Sequence, residues 1–128
     1  MSNILGKYAA QTYALMRIVA GFLFLWHGTQ KLFGFPPSPM QPPPVILYVG
    51  GGVELFGGLL VLLGLFTPWA AFICSGEMAF AYWYAHGTHA ALPLMNGGEL
   101  AALNCFVFLC ISAHGAGIWS VDAARKGA

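Results

Sequence analysis

The stretch Gly50-Gly51-Gly52-Val53-Glu54-Leu55-Phe56-Gly57-Gly58 decides how this sequence folds. It places a carboxylate in the middle of an apolar run of about the length that crosses a bilayer. A charge at that depth costs about 2.5–3.5 kcal/mol on insertion scales, and such residues are functional by default. The surrounding glycines remove side-chain bulk, so another helix can approach the backbone near Glu54 closely. We therefore expect Glu54 to face the interior of a membrane-embedded helix bundle.

The composition of the whole chain indicates the same class of protein. Its 128 residues are 59% hydrophobic and 7% charged, whereas soluble domains carry about 25% charged residues. Five basic and four acidic residues cannot cover the surface of a soluble protein of this size. The formal net charge of +1 gives no indication of a nucleic-acid partner. We expect an integral membrane protein whose main surroundings are the lipid bilayer.

Four apolar runs have about the length that crosses a membrane: residues 12–34, 45–66, 68–87 and 98–119. The proline-rich segment 35–44 cannot be helical, and the short break at residues 67–68 makes the second and third runs an antiparallel hairpin. The sequence thus predicts an all-α fold, a four-transmembrane-helix bundle forming one domain over residues 1–128. A faint repeat, His-Gly-Thr at residues 27–29 and again at 86–88, suggests two related helical hairpins. Basic residues near both ends place both termini in the cytoplasm.

Ionisable residues recur inside these runs and form the candidate site. The predicted buried polar cluster, serving a ligand or a proton, consists of Arg17, His27, Lys31, Glu54, Glu77 and Glu99. Burial and a neighbouring carboxylate both favour the neutral form of a glutamate, so we expect this cluster to hold a proton near neutral pH. Glu54 and Glu77 should lie at similar depth, with Arg17 holding one of them as a carboxylate. The alternative is that these groups only join helices through permanent ion pairs and hydrogen bonds.

Other residue types in the apolar runs are assigned to packing. We expect helices to cross at Gly50, Gly57, Gly58 and Gly64, because close approach needs a missing side chain. Cys74, Cys105 and Cys110 form no CxxC motif and no cluster with metal-ligand spacing. We therefore expect no metal site, covalent haem or disulfide, and we assign no residue as catalytic.

An ordered set of short motifs extends along the chain. It comprises Arg17, His27-Gly28, Lys31-Leu32-Phe33-Gly34, Gly51-Gly52-x-Glu54-Leu55-x-Gly57-Gly58, Gly64-Leu65-Phe66-Thr67, Gly76-Glu77-Met78-Ala79, Asn96-Gly97-Gly98-Glu99 and Trp119-Ser120-x-Asp122. This set resembles the DoxX family of small four-helix integral membrane proteins. That family takes its name from a subunit of an archaeal thiosulfate:quinone oxidoreductase, and other members look like membrane partners of redox or thiol-stress enzymes.

The resemblance implies an integral membrane subunit associated with a quinone-linked oxidoreductase complex in the cytoplasmic (inner) membrane of a prokaryote. The ionisable cluster would then serve as its small-molecule or proton site. No electron carrier is encoded, so a bound quinone or a redox partner protein would supply it, and independent catalysis is not expected. Two alternatives stay open. One is a proton-coupled conduit for a small solute, and the other is a structural or assembly subunit, such as a homo-oligomer, with no chemistry of its own.

Overall fold

The computed structural model describes residues 2–127, and the regular secondary structure of this range is entirely helical. The predicted all-α class is thereby confirmed. The helices are α1 (Ala9–Phe33), α2 (Ile46–Leu63), α3 (Thr67–Ala85), α4 (Pro93–Asn96), α5 (Glu99–His114) and α6 (Val121–Lys126). A single 3₁₀ turn, Gly6–Tyr8, leads directly into α1.

Two of these helices are long and apolar enough to cross a membrane. They are Gly6–Phe33, which joins the 3₁₀ turn to α1, and Ile46–Leu63, which is α2. Few residues of either helix are fully buried within the single chain, about 22% and 28% of the two spans, as expected for helices that face lipid. Between them, residues 34–43 have no regular secondary structure, because prolines remove backbone donors and fix φ.

The end of the chain differs from the prediction. The fourth run was expected to stay helical over residues 98–119, but α5 ends at His114. Gly115 and Gly117 have φ values of +90° and +69°, a conformation that ends an α-helix and that only glycine adopts without strain. The chain turns back there and forms the short helix α6. Likewise, the predicted loop before α5 contains the short helix α4.

Helices α1, α2, α3 and α5 pack into a bundle around a small aromatic and aliphatic core. Phe24 of α1 meets Phe108 of α5 at the centre, with ring centroids 4.7 Å apart. The other fully buried core residues are Val61, Ala71, Cys74 and Ile111. Because most of these side chains are small, α3 lies close to both α2 and α5.

The contact between α1 and α2 uses glycine on both helices. A Cβ atom on Gly21 would lie 2.5 Å from the backbone nitrogen of Leu62, and one on Gly58 would lie 2.8 Å from that of Leu25. At the other end of the interface, Gly28 contacts the backbone of Gly51 and Leu55. The two helices are therefore antiparallel and meet backbone to backbone, an approach that only glycine permits.

Candidate functional site: a lysine and two glutamates

The helix that carries Glu54 is irregular around it. Within α2, Ile46–Gly50 and Val53–Gly57 are π-helical, and Gly58–Leu63 is an ordinary α-helical segment. π-Helical turns are rare and are frequently found at functional sites. The glycines at positions 50–52, which lack side chains, accommodate the wider turns. The result is that Glu54 is aimed into the bundle, where it is only 2% exposed.

Lys31 of α1 is the direct partner of Glu54. Its Nζ atom donates a hydrogen bond to Glu54 Oε1 at 2.5 Å, which makes this contact the ion pair of the site. The Lys31 side chain remains 24% exposed, whereas that of Glu54 is 3% exposed. Lys31 therefore lies near the end of α1, partly in contact with the surroundings, and neutralises a carboxylate that is itself almost completely buried.

Glu77 of α3 completes the group, which we call the Lys31–Glu54–Glu77 triad. Its carboxyl group lies beside Gly50 of α2, where a Cβ atom would come within 3.4 Å of Glu77 Oε1. It also lies within hydrogen-bonding reach of the Glu54 carboxyl group. The sequence-based expectation that Glu54 and Glu77 are neighbours at similar depth agrees with this placement.

One fully buried oxygen of each glutamate is left without a partner among the described residues. Glu54 Oε2 and Glu77 Oε2 are both buried and accept no hydrogen bond from any group in residues 2–127. The buried thiol of Cys74, three residues before Glu77 on α3, occupies the space beside Gly57. Unsatisfied buried oxygens of this kind are costly, so a proton or a ligand at the triad would be stabilising.

Two predicted members of the cluster lie elsewhere. His27 and Glu99 are both exposed, so their assignment to a buried cluster is wrong. His27 is displaced because its neighbour Gly28 takes the inward position against α2. Glu99 begins α5, where a negative charge is stabilised by the helix dipole without burial.

Arg17 is buried, with 0% exposure, but it does not bind a carboxylate as we expected. Its guanidinium group donates to five backbone carbonyl oxygens at 2.7–3.3 Å, those of Val61, Leu62, Ala116, Ile118 and Trp119. We call this arrangement the Arg17 junction. It joins α1 to the C-terminal end of α2 and to the segment after α5. Arg17 precedes Lys31 by fourteen residues, about 21 Å along α1, so the junction and the triad are separate centres.

The predicted packing glycines have different partners. Gly50 and Gly57 face Glu77 and Cys74 of α3, and Gly58 faces α1. Gly64 ends α2 with a φ of +69° and lies against Arg17 and Ser120. Gly21 and Gly28 were missed by the sequence analysis. Gly21 and Gly28 are seven residues apart, as are Gly51 and Gly58 on α2. These equal spacings would have indicated that the two helices pack together through glycine.

Side chains at both ends of the bundle also escaped assignment. Asn96 donates to the hydroxyl oxygen of Tyr82 and to the carbonyl oxygen of Ala90, which fixes the loop before α5. At the opposite end, Asp122 accepts hydrogen bonds at 3.0 Å from the backbone N–H groups of Phe66 and Thr67. It thereby caps α3 from a position 55 residues later in the chain. Asn96 and Asp122 had been noted only as parts of family motifs.

Comparison with known proteins decides the family. The sequence model of the DoxX family matches residues 12–87, which is more than half of the chain. The chain belongs to the DoxX family. A protein of Haemophilus influenzae described as uncharacterized is 41% identical over 127 residues, covering 94% of this chain and 95% of the relative. No solved structure matches this chain.

The matched range of this DoxX protein contains the whole triad. It begins within α1, includes α2 and ends two residues after α3, so α5 and α6 lie beyond it. Arg17 is inside the match, but three of the carbonyl groups that it binds are outside. Family membership, together with the two apolar helices of spanning length, identifies a membrane protein.

Proposed function

We propose that this DoxX protein is a membrane subunit whose Lys31–Glu54–Glu77 triad binds and releases a proton on behalf of a quinone-linked redox partner. The observation that carries the proposal is the pair of buried carboxylate oxygens, Glu54 Oε2 and Glu77 Oε2, which have no hydrogen-bond partner among the described residues. A proton between the two carboxyl groups would satisfy both oxygens at once.

The charge balance of the triad supports a single exchangeable proton. Lys31 supplies one positive charge, and it is paired with Glu54. Glu77 is then the additional carboxyl group, and its negative charge would have no counterion in the triad. Holding one proton makes the triad neutral, and losing it leaves one uncompensated charge in an apolar bundle. The site can therefore exchange one proton, with Glu77 as the group that carries it.

The membrane arrangement that this function needs includes all four long helices. We propose that α3 and α5 cross the membrane together with α1 and α2, with both termini on the cytoplasmic side. Packing of α3 against α2 and α5 through small buried residues supports this, because membrane helices associate through close contacts. In that arrangement the triad lies within the hydrocarbon region, where an ionisable residue is functional by default.

The link to a quinone comes from the family resemblance. Quinone reduction takes up protons together with electrons, so a buried proton site suits a subunit of such a complex. The chain supplies the proton site, and a partner protein or bound quinone would supply the electron chemistry. Co-purification in mild detergent, followed by mass spectrometry of bound proteins and lipids, tests this part. If the purified protein carries neither a quinone nor a dehydrogenase partner, the redox assignment is wrong. The proposal that the triad binds a proton would not be affected by that result.

The proton site itself is tested by pH-difference infrared spectroscopy of the carboxylic C=O band. We expect the wild-type protein to show a band that changes with pH, and Glu77→Gln to abolish it. Glu99→Gln is the matched control, because Glu99 is an exposed glutamate outside the triad, and it should leave the band unchanged. If the band persists in Glu54→Gln and in Glu77→Gln, the triad does not hold the proton and its charges are permanent.

A further inference from the structure

A cavity of about 690 Å³ lies at the end of the bundle opposite the triad, and the proposed function does not use it. It opens between the start of α3, the end of α5 and α6. Phe66, Pro68 and Trp69 form its apolar side. Its polar side is formed by His114, Asp122, Arg125 and Lys126. The cavity therefore combines basic groups with an apolar wall.

The charge that this cavity presents is positive. Among the described residues that line it, Asp122 is the one acidic residue. Its carboxylate accepts hydrogen bonds from the N–H groups of Phe66 and Thr67 and is also stabilised by the nearby charge of Arg125. Arg125 lies over the ring of Phe66, 5.2 Å from its centroid, with no ion-pair partner within residues 2–127. Lys126 follows on the same short helix. Arg125 and Lys126 are thus available to an anionic group.

A second cavity of about 240 Å³ continues from the first. The two share Pro68 and Trp69, and the second extends along the outside of the bundle to Phe72 of α3 and Ser112 of α5. The Ser112 hydroxyl already donates to the carbonyl oxygen of Pro68, so this extension is essentially apolar. Trp69 is 75% exposed and Phe72 is 57% exposed. A molecule that fits both cavities must have an anionic end and a hydrocarbon end.

The depth of the site in the membrane agrees with that description. Exposed aromatic residues with a polar edge lie at this end of the bundle, namely Tyr8, Trp69 and Trp119, as others do at the opposite end. Tryptophan and tyrosine concentrate where lipid headgroups meet the hydrocarbon core. The basic cavity would then lie at headgroup level, and the apolar extension would run toward the membrane centre.

We propose that this end of the protein binds a phospholipid with an anionic headgroup. Arg125 and Lys126 contact the phosphate and the anionic headgroup, and one acyl chain lies along Trp69 and Phe72. Basic side chains near a membrane surface each contribute to binding of anionic lipid. The occupant is a membrane lipid and not a soluble phosphate, because the apolar extension would otherwise be left uncovered.

Native mass spectrometry of the full-length protein in detergent tests the headgroup contact. The probes are phosphatidylglycerol and phosphatidylcholine with identical acyl chains. Wild type should bind phosphatidylglycerol more tightly, and the double variant Arg125→Gln/Lys126→Gln should lose affinity by about fivefold for each charge removed. The matched control is Lys7→Gln. Lys7 is a basic residue in the turn before α1, outside the cavity, and its variant should bind like wild type.

A second variant tests the acyl-chain contact without changing any charge. Phe72→Ala should weaken phosphatidylglycerol binding by about tenfold, because it removes much of the apolar wall. Inorganic phosphate alone should neither bind measurably nor displace the lipid. The proposal is overturned if the two lipids bind equally, if Lys7→Gln loses as much affinity as the double variant, or if phosphate competes with the lipid at equal concentration.

Discussion

The two buried charged centres of this protein differ in how their polar atoms are satisfied. In the Arg17 junction, one guanidinium group donates to five backbone carbonyl oxygens, all of them within hydrogen-bonding distance. In the Lys31–Glu54–Glu77 triad, one ion pair forms and two buried carboxylate oxygens accept nothing within the described chain. Both centres are charged and both lie inside the bundle, but only one of them is internally complete.

This difference separates a structural role from a functional one. A buried charge that is fully hydrogen-bonded holds its elements in one arrangement, and any change in its state is unfavourable. A centre with unsatisfied oxygens costs stability as it stands, so it favours the binding of something else. The Arg17 junction is therefore suited to fixing the fold at one end, whereas the triad is the centre to which our proposal assigns the exchange of a proton.

The largest expected effect follows from breaking the Arg17 junction. Replacing Arg17 by methionine keeps most of the side-chain volume but leaves five carbonyl oxygens without their donor. Each unsatisfied buried acceptor costs about 1–3 kcal/mol, and water can reach some of them, so we expect a loss of more than about 3 kcal/mol. Thermal unfolding in detergent measures it. A melting temperature close to wild type would mean that the junction does not hold the fold together.

A smaller loss is expected at the α1–α2 contact. In Gly28→Ala the new methyl group would overlap the backbone of Leu55, so the helices must separate. Gly76→Ala is the matched control, because Gly76 lies inside helix α3 and its added Cβ would meet nothing within 4 Å. We expect Gly28→Ala to destabilise by about 1–3 kcal/mol and Gly76→Ala to stabilise by about 0.5–1 kcal/mol. Equal effects in the two variants would show that α1 and α2 are not in backbone contact.

The sequence predicted the all-helical class, but it misassigned one position on the inward face of α1, where Gly28 is buried and His27 is not. Alternating spacings of three and four residues fit Arg17, Phe24 and Lys31 on one face, and they allow either His27 or Gly28 between them. The predicted cluster corresponds to the first of these positions, with His27 buried. The structure has the second, because Gly28 lets α2 approach and a histidine there would not. Periodicity alone cannot decide between adjacent positions, whereas the paired glycine spacings on both helices could have done so.

The sequence predicted that Glu54 and Glu77 are neighbours, but it did not predict that Lys31 rather than Arg17 is paired with a carboxylate. Glu54 and Glu77 follow from spanning length and from the short α2–α3 connection. The choice of Lys31 over Arg17 as their partner depends on where the chain turns back after His114. That turn brings the carbonyl groups of residues 116, 118 and 119 to Arg17. No local pattern signals this long-range contact, since it joins residues about one hundred positions apart.

A modest, pH-dependent effect is expected beside the Arg17 junction, at Asp122. Burial opposes its ionisation, but the hydrogen bonds from Thr67 and Phe66 outweigh burial, so the pKa of Asp122 is lowered. Its contribution to stability is therefore present above the unfolded pKa near 3.9 and is lost as pH falls through the lower folded value. Asp122→Asn should cost about 0.5–1 kcal/mol at pH 7. Unfolding curves at several pH values check this: the difference from wild type should stay constant from pH 5 to 8 and shrink below about pH 4. A difference that grew in acid would contradict the capping role.

The smallest expected effect on stability is at Glu77, and it tests the contrast between the two centres most directly. If Glu77 carries the proton of the triad, glutamine has nearly the same shape as the protonated acid and can donate an N–H in its place. Glu77→Gln should then change the free energy of unfolding by less than about 0.5 kcal/mol, measured by thermal unfolding in detergent at neutral pH. Glu54→Gln should cost more, because it removes the carboxylate that is paired with Lys31. A large loss in Glu77→Gln would mean that Glu77 is a permanent counterion of Lys31, and the triad would then hold the fold together as the Arg17 junction does.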